Sequence, residues 1–293
     1  MWRVLLCLML LWGGSEAKST VSCRNEQGDA VDWYILYKLP SIDSDNGLKY
    51  LYMDESTNGW LYGKTSINDK SSALARTLQP LYEHITKKTE SFGYILYNDQ
   101  PPKPFHTSAS SYGHSKAIQL QYIHVYSYDF NIPNSFYPEL QCVAHRGCYP
   151  KKGPWYRQLN MTSLAGNKFV SYVKYSRFDD DLYSGLLCKY LESALYAKSW
   201  GRMHQPLPSN CTIAHNVYNV ITLQLPSVKS YSITVDHSKW CVTTAGAKYH
   251  WTCIADMNRE VSQERRGGGA ICTDNQAVWK TFNNVVGSYE PCL

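Results

Sequence analysis

Two copies of one tripeptide, His114-Ser115-Lys116 and His237-Ser238-Lys239, carry the residues of this chain best suited to chemistry. An imidazole has an unperturbed pKa of about 6.5, so in mild acid it can act as a neutral nucleophile or as a charged proton donor. A lysine two positions on adds a fixed positive charge. On an extended strand, residues i and i+2 point to one face, so each copy would present an imidazole beside an ammonium. Two such pairs facing each other would hold a phosphate between them. In a chain with 9 His and 29 Lys plus Arg, a lone His-x-Lys is more readily a solvated surface pair than a site. The flanks favour a pair, because both copies run into apolar stretches, Ala117-Ile118 and Trp240-Cys241-Val242. Duplicated motifs in duplicated half-domains usually meet at a shared interface.

The elements that must position these pairs alternate between strand and helix. Residues 30–40 alternate bulky and β-branched side chains and stop at Pro40, predicting a strand. Residues 50–54 predict a second strand, and residues 93–98 a third that ends in the turn Asp99-Gln100-Pro101-Pro102. Helical spacing from 72 to 85 with Pro80 inside predicts a helix that begins or kinks there. In the second half, 180–200 reads as helical, 219–225 and 239–244 as strands, and 279–286 as a final helix. The mixture, with motif copies in both halves, predicts an α/β fold with a pseudo-twofold arrangement.

The chain opens with Met1-Trp2-Arg3, an apolar run from 4 to 12, and small residues up to Ala17, the pattern of a secretory signal peptide spanning 1–17. No later segment reaches the roughly 18 apolar residues of a membrane span, so the expected location is lysosomal or secreted. A net charge of +5 permits an anionic partner without requiring one, since no long basic tract is present. The 24 Tyr against 7 Phe suit half-buried sheet surfaces, where a ring is covered and a hydroxyl bonded. Of 10 Cys, Cys7 leaves with the leader, and the odd remainder leaves at least one free or linked to another molecule. Cys253 and Cys272 bracket Gly267-Gly268-Gly269, and a Cys211–Cys292 bridge would tie the last lobe to its end. No zinc-like Cys-x-x-Cys spacing occurs, so structural disulfides are expected. Asn160-Met161-Thr162 and Asn210-Cys211-Thr212 are glycosylation sequons.

Longer segments carry a family resemblance. Cys23-Arg24-Asn25-Glu26, Tyr37-Lys38-Leu39-Pro40, Arg76-Thr77-Leu78-Gln79-Pro80-Leu81-Tyr82 and Tyr97-Asn98-Asp99-Gln100-Pro101-Pro102 resemble the N-terminal half of deoxyribonuclease II. Asp180-Asp181-Leu182-Tyr183-Ser184-Gly185, Leu207-Pro208-Ser209-Asn210-Cys211, Asp236-His237-Ser238-Lys239-Trp240-Cys241, Trp251-Thr252-Cys253 and Asp256-Met257-Asn258-Arg259 resemble its C-terminal half. The resemblance implies an acid endonuclease without cofactor that cuts DNA to leave 3′-phosphates. It also implies a phospholipase D-like fold of two pseudo-symmetric lobes, 18–160 and 161–293, each a mixed sheet with flanking helices, and a cleft between. Gln121 and Thr244 stand where the phospholipase D signature has aspartate. His114, Lys116, His237 and Lys239 would then be catalytic. Asn258 would either bind a phosphate oxygen beside His237 or cap a turn after Asp256. Arg259, Arg265 and Arg266 would follow the DNA backbone or form a solvated charged loop, and Asn98 and Asp99 would serve the site or simply shape a turn. The remaining histidines, His106, His124, His145, His204, His215 and His250, read as surface or structural.

One departure from the family concerns the first copy. There a hairpin follows the first His-x-Lys, and its return strand carries a further histidine and asparagine. Here Gln121 passes directly to Tyr122, so some tens of residues are missing, among them the cysteine that would pair with Cys23. Cys142 and Cys148 form an extra local pair. Losing strands leaves an unpaired edge and uncovered core, so two other readings stand beside the enzyme. One is a noncatalytic secreted relative that binds nucleic acid, and the other is a nonproductive splice product.

Overall fold

The computed structural model describes residues 21–41, 46–87, 92–97, 120–123, 126–135 and 138–292. The first part of the chain makes small antiparallel sheets. β1 (Cys23–Arg24) pairs with β2 (Ala30–Val31), and β3 (Tyr34–Lys38) pairs with β4 (Tyr50–Asp54), which pairs in turn with β5 (Leu61–Tyr62). β6 (Tyr94–Tyr97) pairs with β7 (Ser127–Asn131). Helix α1 (Ala73–Lys87) runs through Pro80 without breaking, and α2 (Leu120–Ile123) and α3 (Pro138–Ala144) are short.

A nine-stranded mixed sheet forms from the rest of the chain. Its strands are β8 (Tyr156–Thr162), β9 (Lys168–Lys174), β10 (Leu195–Lys198), β11 (Val217–Leu223), β12 (Tyr231–Ser232), β13 (Trp240–Thr243), β14 (Thr252–Ala255), β15 (Gly268–Thr273) and β16 (Val286–Tyr289). In space they run β12, β11, β10, β13, β14, β15, β9, β8, with β16 also on β11. β10 and β11 are parallel, and every other pair in this sheet is antiparallel.

Strand alternation puts core on both faces of this sheet. On β13, Trp240 and Val242 join one cluster with Tyr37, Leu51 and Met53 from the small sheet and Val278 and Phe282 from the last helix (Gln276–Asn283). Cys241, between them, joins the opposite cluster with Leu182, Tyr183, Leu186, Leu187 and Leu191. Each large side chain fully buried in this way contributes about 1.5–3 kcal/mol.

Two helical expectations are corrected here. Residues 180–200 do not make one helix: a π-helical turn, Leu182–Leu187, is followed by the short α4 (Cys188–Tyr190) and then by β10. Asp181 starts the turn by accepting from the Ser184 backbone N–H at 2.9 Å, and Glu192, at φ 48°, turns the chain out of the helix. The final helix ends at Asn283, because Val286 already pairs with Leu223 in the sheet. Disulfides join Cys142 to Cys148, Cys211 to Cys292 and Cys253 to Cys272, and Cys23, Cys188 and Cys241 are thiols. Among the described residues no helix is long and apolar enough to cross a membrane.

Candidate functional site

His237-Ser238-Lys239 leads directly into the start of β13, an interior strand of the large sheet. The extended pattern continues past the strand's start, since the Ala255 N–H donates to the Lys239 carbonyl at 2.9 Å. With that alternation Ser238 shares the face of Trp240 and Val242, and His237 and Lys239 share the face of Cys241. Ser238 Oγ lies 2.8 Å from the Tyr37 hydroxyl, while His237 is exposed and Lys239 partly so. The Lys239 ammonium donates to the His237 backbone carbonyl at 2.9 Å.

The tripeptide is anchored by a buried polar network behind it. The Asp236 carboxylate accepts from Tyr37 at 2.6 Å, Tyr231 at 3.0 Å and the Ser238 backbone N–H at 2.7 Å. It also pairs with the Lys198 ammonium at 3.1 Å, and Lys198 donates to the Asp236 and Ser238 carbonyls at 2.6 and 2.9 Å. Lys198 comes from the end of β10, beside β13, where Lys198 and Trp240 are register partners. Burial alone would raise the Asp236 pKa, but Lys198 and the donated hydrogen bonds outweigh it and hold the carboxyl below its ordinary value. Burial pulls Lys198 down to about 8, with Asp236 opposing. Such a pair is weak evidence for stability, yet removing one partner would strand the other charge.

His237 itself is shifted. Partial burial lowers its pKa below the usual 6.5, and Lys239, Lys198 and Arg202 lower it further, against the opposing pull of Asp236. Its imidazole stacks on the Trp200 indole, with centroids 4.2 Å apart and planes at 26°. The Trp200 backbone N–H donates to Asn258 Oδ1 at 3.1 Å. Asn258, 7% exposed, is thus returned to the neighbourhood of His237 from beyond the end of β14.

Arg259 has a different role from the one expected of a backbone-following residue. It is 2% exposed, and its guanidinium donates to Asp181 at 3.2 Å, the Pro208 carbonyl at 3.0 Å and Asn219 Oδ1 at 2.6 Å. Those bonds all tie internal segments together. Arg265 is exposed and paired with Asp179 at 2.8 Å. His114, Lys116 and Asn98 lie outside the described residues. Asn160 is exposed on the edge strand β8, and Asn210 Oδ1 accepts from the Thr212 N–H at 3.2 Å beside the Cys211–Cys292 bridge. Among the described residues no three His, Cys, Asp or Glu side chains converge to hold a metal ion.

Lys198, Trp200 and Tyr37 were not legible as site residues. A lysine at the end of an apolar strand and a tyrosine 199 positions from Asp236 carry no local signal. Asp236 had one, its place immediately before the histidine.

Comparison with known proteins adds an independent finding. Residues 22–120 and 117–292 match the family described as Deoxyribonuclease II. The chain is similar to deoxyribonuclease-2-alpha of Mus musculus, 33% identical over 356 aligned positions that cover 99% of this chain and 98% of that protein. It is 32% identical to deoxyribonuclease-2-beta of Homo sapiens, covering 94% and 92% of the two, and 31% identical to plancitoxin-1 of Acanthaster planci, covering 99% and 96%. The 356 aligned positions exceed the 293 residues of this chain, and the family match breaks and restarts at 117–120. The mouse relative therefore has residues that this chain lacks, and the break falls just after the first His-x-Lys.

Proposed function

The chain belongs to the deoxyribonuclease II family, and from that premise we propose that it is an acid endodeoxyribonuclease that hydrolyses DNA phosphodiesters without metal and leaves 3′-phosphates. The observation that carries this reading is His237, held toward its neutral form next to Lys239 on a strand anchored from behind. One neutral imidazole attacks phosphorus and the P–O5′ bond breaks. The other histidine, protonated, gives its proton to the departing 5′-oxygen, leaving a phosphohistidine. Water then attacks phosphorus, its proton passes to the second histidine, and the P–N bond breaks to release the 3′-phosphate. Lys116 and Lys239 hold the nonbridging oxygens, and Asn258 Nδ2 supplies a further donor. His237 and His114 divide the two roles, each from its own phospholipase D-like lobe, with the cleft between. The enzyme would act in the lysosome or after secretion, with glycans on Asn160 and Asn210.

A second reading is a noncatalytic nucleic-acid-binding relative, favoured by the residues missing after the first His-x-Lys. One experiment separates the two. Purified protein with plasmid DNA in EDTA should cut near pH 5, and His114→Ala and His237→Ala should each remove nearly all cleavage. A positioned acid or base typically contributes about 10²-fold or more, so a variant keeping above about a tenth of the rate removes its histidine from the site. Cutting only when magnesium is added sinks the mechanism. DNA binding without cutting under any condition supports the second reading.

A further inference from the structure

Trp200 is fixed by contacts that do not involve His237. Its backbone N–H donates to Asn258 Oδ1 at 3.1 Å, and its indole N–H donates to the Thr234 carbonyl at 3.1 Å. The next residue, Gly201, donates its N–H to the Ile233 carbonyl at 3.3 Å, and a Cβ there would stand 2.8 Å from Ile233 Cγ1. The indole is therefore placed from two directions, by the segment after β14 and by the turn before His237. Onto that plane the exposed imidazole is laid at 4.2 Å and 26°. An exposed histidine without such a partner would sample several rotamers, since χ2 of histidine is broad.

We infer that Trp200 is a positioning residue, a rigid platform that sets the orientation of the His237 imidazole toward the scissile phosphate. The inference rests on the hydrolytic reading above and adds a residue to it. Asn258 acquires a second duty, because its Oδ1 accepts from the Trp200 backbone and so helps to set the platform. Orientation matters because in-line attack on phosphorus, or proton delivery to the 5′-oxygen, needs the ring nitrogen within near-attack geometry, and a misplacement of about 1 Å can cost about 10²-fold. Positioning of this kind acts on the chemical step more than on binding.

The test compares the full chain with Trp200→Phe and Trp200→Leu, by imidazole NMR of the DNA-free protein and by cleavage kinetics. The indole should impose a ring-current shift on the His237 ring resonances, identified by their loss in His237→Ala. Trp200→Phe, which keeps a flat ring, should keep a ring-current shift and a kcat within about threefold of wild type. Trp200→Leu should lose the shift and lower kcat about tenfold or more, with KM changed by less than about threefold. If Trp200→Leu does not fold, Trp200→Met, flexible and without a flat ring, takes its place with the same expectation. Wild-type ring resonances together with wild-type kcat in the leucine or methionine variant overturn the inference, as does a loss confined to KM. If the wild-type chain cuts no DNA, the hydrolytic reading fails, and the NMR comparison still decides whether Trp200 holds the imidazole.

Discussion

At the scale of single residues, the charge state of His237 is the property on which the chemistry turns. Burial, Lys239, Lys198 and Arg202 all depress its pKa, and only Asp236 opposes them. The neutral, nucleophilic form should therefore persist to lower pH than in an ordinary histidine. An NMR titration should place its midpoint below 6.5, and Lys239→Met, which removes one depressing charge, should move the midpoint up. A midpoint at or above 6.5 in the wild type, or a downward move in the variant, would refute this account of the site's electrostatics. The sign for stability follows from the same shift. With the folded value below the unfolded one, the folded state binds the proton less readily, so this group's contribution is complete above about pH 6.5 and is lost as pH falls through the folded value. Asp236 behaves likewise lower down, its contribution being lost as pH falls below the ordinary carboxyl range.

At the scale of elements, the glycine run before and within β15 is a packing device. A Cβ on Gly269 would run into the Tyr172 carbonyl on the neighbouring β9, and the Gly269 N–H is bonded to Asp256 Oδ1 at 2.8 Å. Neither backbone can yield without breaking the β9–β15 ladder, where Gly269 pairs with Val173. Gly269→Ala should cost about 1–3 kcal/mol, the range for overpacking, and lower the melting temperature accordingly. Gly246 sits in an exposed turn with nothing within 4 Å of where a Cβ would stand, so Gly246→Ala should fall within about 0.5 kcal/mol of wild type. Equal melting temperatures for the two variants would show that β15 is not packed this closely. Because β15 borders β14, whose far end leads to Asn258, loosening it should also reduce activity.

At the scale of the whole molecule, the question is how the chain closes where the family match breaks. Gln121 and Tyr122 lie within α2, and Ile123 is fully buried with Val143 and Val173. The carbonyls of Tyr122 and Ile123 press on Gly267, each 2.7 Å from where its Cβ would stand. The junction is thus covered by packing against the large sheet. Cys23 nevertheless has no disulfide partner, and Cys188 and Cys241 are buried thiols. Thiol labelling under denaturing, nonreducing conditions should modify these three and spare the six bridged cysteines. Without denaturant, Cys23 should react slowly, since burial, Asp32 and Glu55 raise its pKa, and the other two should not react. Protection of Cys23 under denaturing conditions would reveal a bridge absent from the structure. Inserting a family-like hairpin between Gln121 and Tyr122, with its cysteine, should raise the melting temperature through a cross-link typically worth about 2–4 kcal/mol. An unchanged melting temperature and activity would mean that the shortened chain closes as well as the longer one.

The strand at Tyr50–Asp54 and the family were readable from the chain, because each depends on residues close together in sequence or on long ordered motifs. The helical reading of 180–200 failed because apolar spacing cannot distinguish a buried central strand from a helix, and β10 is flanked on both sides by other strands. Arg259 shows the same limit at one residue. Its charge suggested DNA, while its partners Asp181, Pro208 and Asn219 come from three distant segments. Trp200 under His237, and Lys198 and Tyr37 behind it, were likewise decided only by tertiary structure. Hydrogen bonds and ring contacts between strands joined by long connections leave no periodicity in the sequence, so only folding brings those groups to the histidine.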